Sequence, residues 1–415
     1  MSSLEVPHEL PTDGSPGAPQ PQARLDRWLA RYGTEMVAIR RQLHTYPELG
    51  RREYVTTELI RSRLAAAGLE PRVLPLGSGV VCDVGSGDRL VAIRADIDAL
   101  PVPDTKDVPY RSTVEGISHA CGHDVHTAML LAAGLALHDA AMHEPPGTLP
   151  GRVRLIFQPA EELTPGGALD VIAADALVGV EALFALHCDP RLATGKVGLR
   201  SGAITAAADM VEVYLSGPGG HTARPHLTAD LVYALGRVIV DVPGLLSRVV
   251  DPRVGLSLVW GEVQAGRTAN AVPDSGVLRG TVRMLDRTAW RLAPDLLRRL
   301  VADVVAPTGV TAEVEYTPGV PPVDNDPAVI SMLRVAALAA LGRDAVVDTQ
   351  QSMGGEDFAW YLDKTPGALA RLGTARAADS GFPPGDLHQG SFDIDERAIA
   401  VGVRLLVQTA YTALR

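Results

Sequence analysis

The chain has 415 residues, of which 46% are hydrophobic and 21% charged, and this composition is typical of a globular protein with room for more than one domain. Its formal net charge of −11 argues against a nucleic acid or an anionic membrane as partner, because both would need a basic surface. Three cysteines are too few for a disulfide framework and predict a reducing, cytoplasmic environment. The apolar runs are too short to predict a transmembrane helix, and we expect no signal peptide.

The predicted elements begin after a Pro- and Gly-rich stretch, so that residues 1–22 are expected to form a disordered tail. Helical periodicity starts at Asp26 and ends at YPELG (46–50), and a second helix is predicted over about 55–67. Strands at 90–98, 151–162 and 181–190 then alternate with helices at about 125–138 and 167–180. This alternation predicts an α/β fold with a mostly parallel sheet.

Polar side chains lie at the ends of all three predicted strands. Asp96 and Asp98 end the first, Glu161 and Glu162 the second, and His187 the third. Because sites on open α/β sheets lie beyond the carboxyl ends of the strands, we expect these groups to converge at one edge.

The middle of the chain has a different order of elements. Its strands and helices follow the pattern β-α-β-β-α-β, which is typical of a ferredoxin-like unit. We therefore predict an inserted domain at 206–316, with 23–205 and 317–415 together forming the domain that carries the site.

The segment HACGHDVHT (119–127) concentrates candidate metal ligands. His119, Cys121 and His123 alternate, so an extended backbone would project them to one side, and His123 and His126 are three residues apart, as on one helix face. Cysteine combined with histidine favours a transition metal over Mg²⁺ or Ca²⁺. Taken alone, the segment is equally compatible with a helix start whose histidines are only hydrogen-bonded.

The adjacent carboxylates of Glu161 and Glu162 would repel each other unless a positive group separated their roles. A metal would do this, since one glutamate could bind it while the other remained free as a base. A solvated pair in a loop is the simpler alternative.

Near the C-terminus, His388 lies in the loop GDLHQGSFDIDE, where a lone histidine could also be an ordinary surface residue. The loop MGGEDF (353–358) has glycines that permit a close approach of the backbone and two acids, Glu356 and Asp357, that we expect to be exposed. A helix N-terminus at Asp357 is the simpler alternative for that loop.

Nine motifs taken in order resemble the M20 metallopeptidase family, and most closely its amidohydrolase branch of hippurate hydrolases, N-acyl-amino-acid aminoacylases and auxin-conjugate hydrolases. They extend from about residue 26 to the end of the chain and comprise RADIDALP, HACGHDVHT, QPAEE, ALHCDP, GPGGHTARPH, the loop with Asn270, Pro273 and Asp274, GTVR, MGGEDF and LHQGSFDIDE.

The resemblance implies a site with two divalent metal ions, zinc or manganese, with cobalt or nickel possible. Cys121 would bridge the ions where other branches use aspartate, and the remaining ligands would be His123, Glu162, His187 and His388. Glu161 would be the general base, while Asp96 and His126 would orient ligands. Arg94 stands where other branches place a histidine, and His123 would compensate for that change.

The inserted unit carries three further candidates. His221 resembles the residue that stabilises the developing oxyanion, often in the partner subunit's site, but it could be a structural turn histidine. Asn270 resembles a polar substrate contact. Arg283 could hold a carboxylate or could be a strand-surface arginine. The family architecture predicts a homodimer formed through this unit, which would also act as a lid.

These observations predict a metal-dependent amidohydrolase that acts on N-acyl amino acids or related small amides. A dipeptidase or peptide deacylase of the same fold is the nearest alternative. A hydrolase with Cys121 as nucleophile would survive chelation and be stopped by alkylation, and a non-catalytic binding protein would have no need of the base Glu161. The sequence does not specify the acyl group, the amino acid or the metal.

Overall fold

The computed structural model describes residues 21–143, 149–376 and 385–415. Its helices are α1 (Pro21–Thr45), α2 (Tyr54–Ala66), α3 (His123–His143), α4 (Ala168–Ala173), α5 (Leu231–Val249), α6 (Arg287–Val305), α7 (Pro327–Leu341) and α8 (Arg397–Ala413). Its strands are β1 (Arg72–Val73), β2 (Val80–Gly85), β3 (Leu90–Asp96), β4 (Arg152–Gln158), β5 (Leu183–Ala193), β6 (Val197–Leu199), β7 (Gly202–Ala203), β8 (Ala207–Ser216), β9 (Gly220–His221), β10 (Ser257–Ala265), β11 (Ala271–Val272), β12 (Ser275–Met284), β13 (Thr311–Val320), β14 (Asp324–Asn325), β15 (Val346–Asp348) and β16 (Gly367–Ala375).

The larger sheet has eight strands in the order β1-β2-β4-β3-β5-β16-β6-β15. Its four central strands, β4, β3, β5 and β16, are mutually parallel, whereas β1, β2 and β6 add antiparallel pairs on either side. The α/β class and the parallel centre of the sheet are thus as predicted, and the sheet as a whole is mixed.

Helices cover both faces of this sheet. Apolar side chains of α1, α3, α7 and α8 form the core on one face, and α4 with the short helical turn at 357–363 packs on the other. Every residue of β3 is buried, as expected for a central strand covered on both faces. Helix α3 is the one described helix long and apolar enough to cross a membrane, and 72% of that apolar window is buried within the protein.

The smaller sheet is antiparallel, with the order β10-β12-β8-β13, and α5 and α6 pack against it. The elements follow the predicted β-α-β-β-α-β order. Strand β13 runs to Val320, four residues past the predicted boundary at 316. The division into two domains and the lid role of this unit remain predictions.

Several predicted bounds were wrong. Residues 1–20 of the predicted tail lie outside the described residues, but residues 21 and 22 belong to α1, because a proline is well tolerated in the first turn of a helix. The helix predicted over 167–180 ends at Ala173, and Asp175 and Gly179 then adopt positive φ angles that are incompatible with a helix. The predicted strand 181–190 continues to Ala193 as β5, because its outer half keeps pairing with β16.

Candidate metal centre and active site

The centre of the site is built by the start of α3 and the turn before it. Gly122 has a φ of +87°, and a Cβ there would lie 3.0 Å from Sγ of Cys188, so this position requires glycine. The turn leaves Cys121 just before the helix and His123 at its first position. Both are buried, with 5% and 1% of their surfaces exposed.

The two glutamates are positioned by a carboxylate that follows β3. Asp98 accepts hydrogen bonds from the backbone N–H groups of Glu161 (3.1 Å) and Glu162 (3.0 Å). The turn that carries them includes Ala160 at a φ of +55°, and its N–H donates to the buried carboxylate of Glu53 at 2.8 Å. Asp98 also lies beside His123, with 3.3 Å between Oδ1 and Nδ1. Backbone hydrogen bonds to Asp98 and Glu53 therefore fix the turn that carries Glu161 and Glu162.

Five of the predicted residues form two groups that share one thiol. Potential ligand atoms of Cys121, His123 and His187 lie within 4.8 Å of one another, as do those of Cys121, Glu162 and His388. Sγ of Cys121 is 3.5 Å from Nε2 of His187, and Nε2 of His388 is 3.3 Å from Oε1 of Glu162. The side chain of His388 is 55% exposed, which places it at the mouth of the site.

The chemical state of these groups fits a bound cation. Nδ1 of His187 hydrogen-bonds to the carbonyl of Cys188 at 2.8 Å, which leaves Nε2 available as a ligand atom. Nε2 of His123 is buried and has no hydrogen-bond partner among the described residues. Although burial opposes it, the carboxylates of Asp96 and Asp98 raise the pKa of His123 to about 10, so the surroundings favour a positive charge there. The donor set of thiol, imidazole and carboxylate suits a transition metal.

Asp96 and His126 lie beside His123, and potential ligand atoms of the three lie within 4.8 Å of one another. Nδ1 of His126 contacts Oδ1 of Asp96 at 2.5 Å, and Nε2 of His126 accepts the N–H of Cys188 at 2.9 Å. Both ring nitrogens of His126 are thus committed within the protein, which is the arrangement expected of a residue that orients ligands.

Glu161 lies among other acids. Burial, followed by the charges of Glu356 and Glu162, raises the pKa of Glu161 well above its usual range. Burial and then the charge of Glu162 likewise raise the pKa of Cys121, so that its thiol stays protonated without a cation nearby. All three cysteines are free and buried, as expected for Cys82 and Cys188.

Arg94 is buried beside Asp96 and serves as an ion-pair partner of carboxylates. Its guanidinium donates hydrogen bonds to the carboxylates of Asp96 (2.7 Å), Glu356 (3.1 Å) and Asp357 (2.9 Å). These bonds connect β3 to the MGGEDF loop. From the sequence, we expected the two acids of that loop to be exposed. That expectation was wrong, since Glu356 and Asp357 are both buried and both accept hydrogen bonds from Arg94.

The candidates in the inserted unit lie in a separate group. His221 pairs with Ala271 in a short two-stranded ladder, which brings it beside Asn270, and both residues are exposed. The N–H of Ala223 donates to Nδ1 of His221 at 3.0 Å. Arg283 donates to the carbonyl of Met353 at 2.6 Å. Within the described part of the chain, none of the three is part of the clusters of potential metal ligands.

Residues 92–412 match the family described as Peptidase family M20/M25/M40. The chain belongs to this family.

Among curated relatives, the chain is 49% identical over 374 residues to a Rhodococcus jostii (strain RHA1) protein named "Putative glutamate--cysteine ligase 2-3"; the match covers 90% of this chain but only 46% of that protein. It is 38% identical to N-acetyl-L-cysteine deacetylase of Bacillus subtilis (strain 168), with 91% of this chain and 87% of the relative covered. Among solved structures, Bacillus subtilis YXEP, described as a dinuclear metal binding peptidase from the M20 family, matches with a TM-score of 0.80 and 34% identity over 93% of this chain and 99% of that one. Membership of this peptidase family makes this chain a hydrolase of amide bonds.

Proposed function

We propose that this protein is a metal-dependent amidohydrolase that cleaves N-acyl amino acids or closely related small amides into an acid and an amine. The observation that carries the proposal is the convergence of Cys121, His123, Glu162, His187 and His388 near a half-buried glutamate, Glu161. The deacetylase activity named for the Bacillus subtilis relative supports the substrate class.

The proposed site would hold two divalent ions, and Cys121 would serve as a ligand in both groups. Support comes from the two groups of potential ligands that share this thiol and from the dinuclear centre described for the YXEP structure. A sulfur ligand favours zinc, while the oxygen and nitrogen ligands equally suit manganese, cobalt or nickel. When bound, such ions lower the pKa of a coordinated water and polarise the amide carbonyl.

Glu161 is the proposed general base. Its carboxylate accepts a proton from the attacking water and later delivers it to the leaving nitrogen. The raised pKa of Glu161 suits a group that must hold this proton between the two steps. Asp98 keeps the Glu161 backbone in place, and Asp96 keeps His126 oriented, so neither carboxylate is free to compete as the base.

The inserted unit is proposed to act as the lid and as the dimer interface. Strand β10 is an edge strand, and Val259 and Val263 on it are 59% and 56% exposed. Helix α5 also presents apolar side chains to solvent, with Val240 71% exposed. Apolar side chains beside an open strand edge favour pairing with a second copy. His221 and Asn270 would then contact substrate, within the same subunit or across the dimer.

The proposed partners are small molecules. A net charge of −11 supports neither a nucleic acid nor an anionic membrane as partner. A cytoplasmic setting is proposed because Cys121 must remain a reduced thiol to bind metal, and all three cysteines are free.

The test is hydrolysis of a panel that contains N-acetyl-L-cysteine, N-acetyl-L-methionine, hippurate and two free-amine dipeptides. Metal-loaded, EDTA-treated and iodoacetamide-treated protein are compared. We expect turnover of N-acyl amino acids that is lost after chelation and restored by Zn²⁺ or Mn²⁺. Preference for the dipeptides would indicate a dipeptidase, and turnover that survives chelation but not alkylation would indicate a cysteine nucleophile.

A further inference from the structure

Arg371 is a buried arginine in the centre of the larger sheet. It lies on β16 directly in register with His187 on the parallel strand β5, and in-register residues of paired strands project to the same face. Only 6% of its surface is exposed. Its guanidinium therefore lies on the side of the sheet from which His187 reaches the metal centre.

The side chain of Arg371 has no partner among the described residues. Its Nε is buried without a hydrogen bond, and no ion pair joins its guanidinium to a carboxylate within the described ranges. Two other buried arginines, each with a carboxylate partner, provide the contrast. Arg40 lies 2.7 Å from a carboxylate oxygen of Asp124, and Arg94 lies 2.7 Å from one of Asp96. A buried cation without a partner is costly, so its retention calls for an anion that arrives later.

The two acids whose charges act on Arg371 are each ion-paired with another arginine. Asp189 is bound by Arg191 at 2.9 Å, and Glu356 is bound by Arg94 at 3.1 Å. The Nε–H of Arg371 is thus an unused hydrogen-bond donor on the same face of the sheet as His187.

We propose that Arg371 binds the free carboxylate of the substrate and so selects N-acyl amino acids over their carboxamides. This inference rests on the proposed function, because the carboxylate is the one anionic group common to that substrate class. The planar guanidinium offers two parallel N–H donors that match a carboxylate. Its place beside His187 would hold the carboxylate next to the centre that receives the amide bond.

The test uses binding as well as turnover. Calorimetry measures the Kd of N-acetyl-L-methionine and of N-acetyl-L-methioninamide on metal-loaded Glu161→Gln protein, with and without Arg371→Gln. We expect the acid to bind more tightly than the amide, and Arg371→Gln to weaken acid binding by about 10- to 100-fold while changing amide binding little. Arg371→Lys should restore part of the difference. Arg191→Gln, which removes a nearby exposed arginine, and Arg283→Gln, the carboxylate contact considered from sequence, are the comparison variants.

Stability separates this role from a structural one. Because Arg371 has no partner to lose, Arg371→Met should leave the Tm of the substrate-free protein unchanged or raise it. A clear fall in Tm, equal effects on acid and amide, no binding of either ligand, or loss of discrimination in Arg283→Gln instead would each overturn the proposal. If discrimination is present and depends on Arg371, but wild-type protein hydrolyses nothing in the panel, then the proposed function fails while this inference stands.

Discussion

The thiol of Cys121 lies 3.5 Å from Nε2 of His187, although 66 residues separate the two in the chain. One comes from the turn before α3 and the other from the middle of β5, so the contact exists only in the folded protein. We predict that Cys121→Ala abolishes binding of at least one metal equivalent, because the two ligand groups share this atom. Cys121→Asp should recover metal, since a carboxylate can also bridge two ions. Metal content by mass spectrometry, read beside the Tm, checks this; full occupancy in Cys121→Ala would contradict the assignment.

Asp98 should be important for catalysis, although we do not propose it as a metal ligand. Asp98→Asn removes one of the two acceptors for the backbone N–H groups of Glu161 and Glu162. We expect kcat to fall by about 10- to 100-fold with metal largely retained, as is usual when a group that orients ligands is changed. The exposed Asp88 supplies the control, since Asp88→Asn should behave as wild type. Wild-type kcat in Asp98→Asn would show that the glutamate turn needs no such anchor.

Substitutions of His126 and of His187 should affect metal binding differently. Both ring nitrogens of His126 are hydrogen-bonded within the protein, whereas Nε2 of His187 faces Cys121. His126→Asn is expected to weaken metal binding by about 10- to 100-fold, and His187→Asn to remove one equivalent. Competition with a chromophoric chelator measures both. Equal losses in the two variants would mean that His126 is itself a ligand.

Asp393 should contribute to the acid sensitivity of the fold. It is 2.9 Å from the buried guanidinium of Arg40, accepts the hydroxyl of Tyr110 at 2.8 Å and also binds Arg376. Burial alone would raise its pKa, but Arg40 and Arg376 outweigh burial and lower the pKa below its usual value. Asp393→Asn leaves Arg40 with one charge partner fewer, while Asp124 still pairs with it, and should lower the free energy of unfolding at pH 7 by about 1–3 kcal/mol.

The pH dependence of that loss follows from the sign of the shift. A carboxylate with a lowered folded pKa stabilises the protein above its unfolded pKa of about 3.9, and this stability is lost as the pH falls towards the folded value. The difference between wild type and Asp393→Asn should therefore be constant near neutral pH and shrink below about pH 4. Denaturant titrations at several pH values measure it. The exposed pair of Arg334 and Asp348 supplies the control, because Asp348→Asn should cost under about 1 kcal/mol.

The sequence predicted the convergence at the sheet edge because parallel strands deliver their carboxyl ends to one side. Asp96, Glu161, Glu162 and His187 are brought together as that rule requires. The same rule did not predict that His187 lies in the middle of its strand. Strand β5 extends six residues beyond His187 because it continues to pair with β16.

Arg371 was missed for a different reason. A single arginine in the strand GALARLGTA has no motif around it, and its burial without a partner is a property of the fold alone. The burial of Glu356 and Asp357 could not be predicted for the same reason, because their hydrogen-bond donor Arg94 lies 262 residues from Glu356 in the chain. Local patterns predict elements and motifs, whereas long-range charge pairing requires the three-dimensional structure.

The most direct test of the account is Glu161→Gln, measured for metal content and for kcat on the best substrate of the panel. We predict that the variant keeps both metal equivalents and the wild-type Tm, while kcat falls by about 10²- to 10⁴-fold, the usual contribution of a general base. Wild-type turnover in a fully loaded variant would contradict the role of Glu161 as base. Loss of metal would show instead that Glu161 is a ligand.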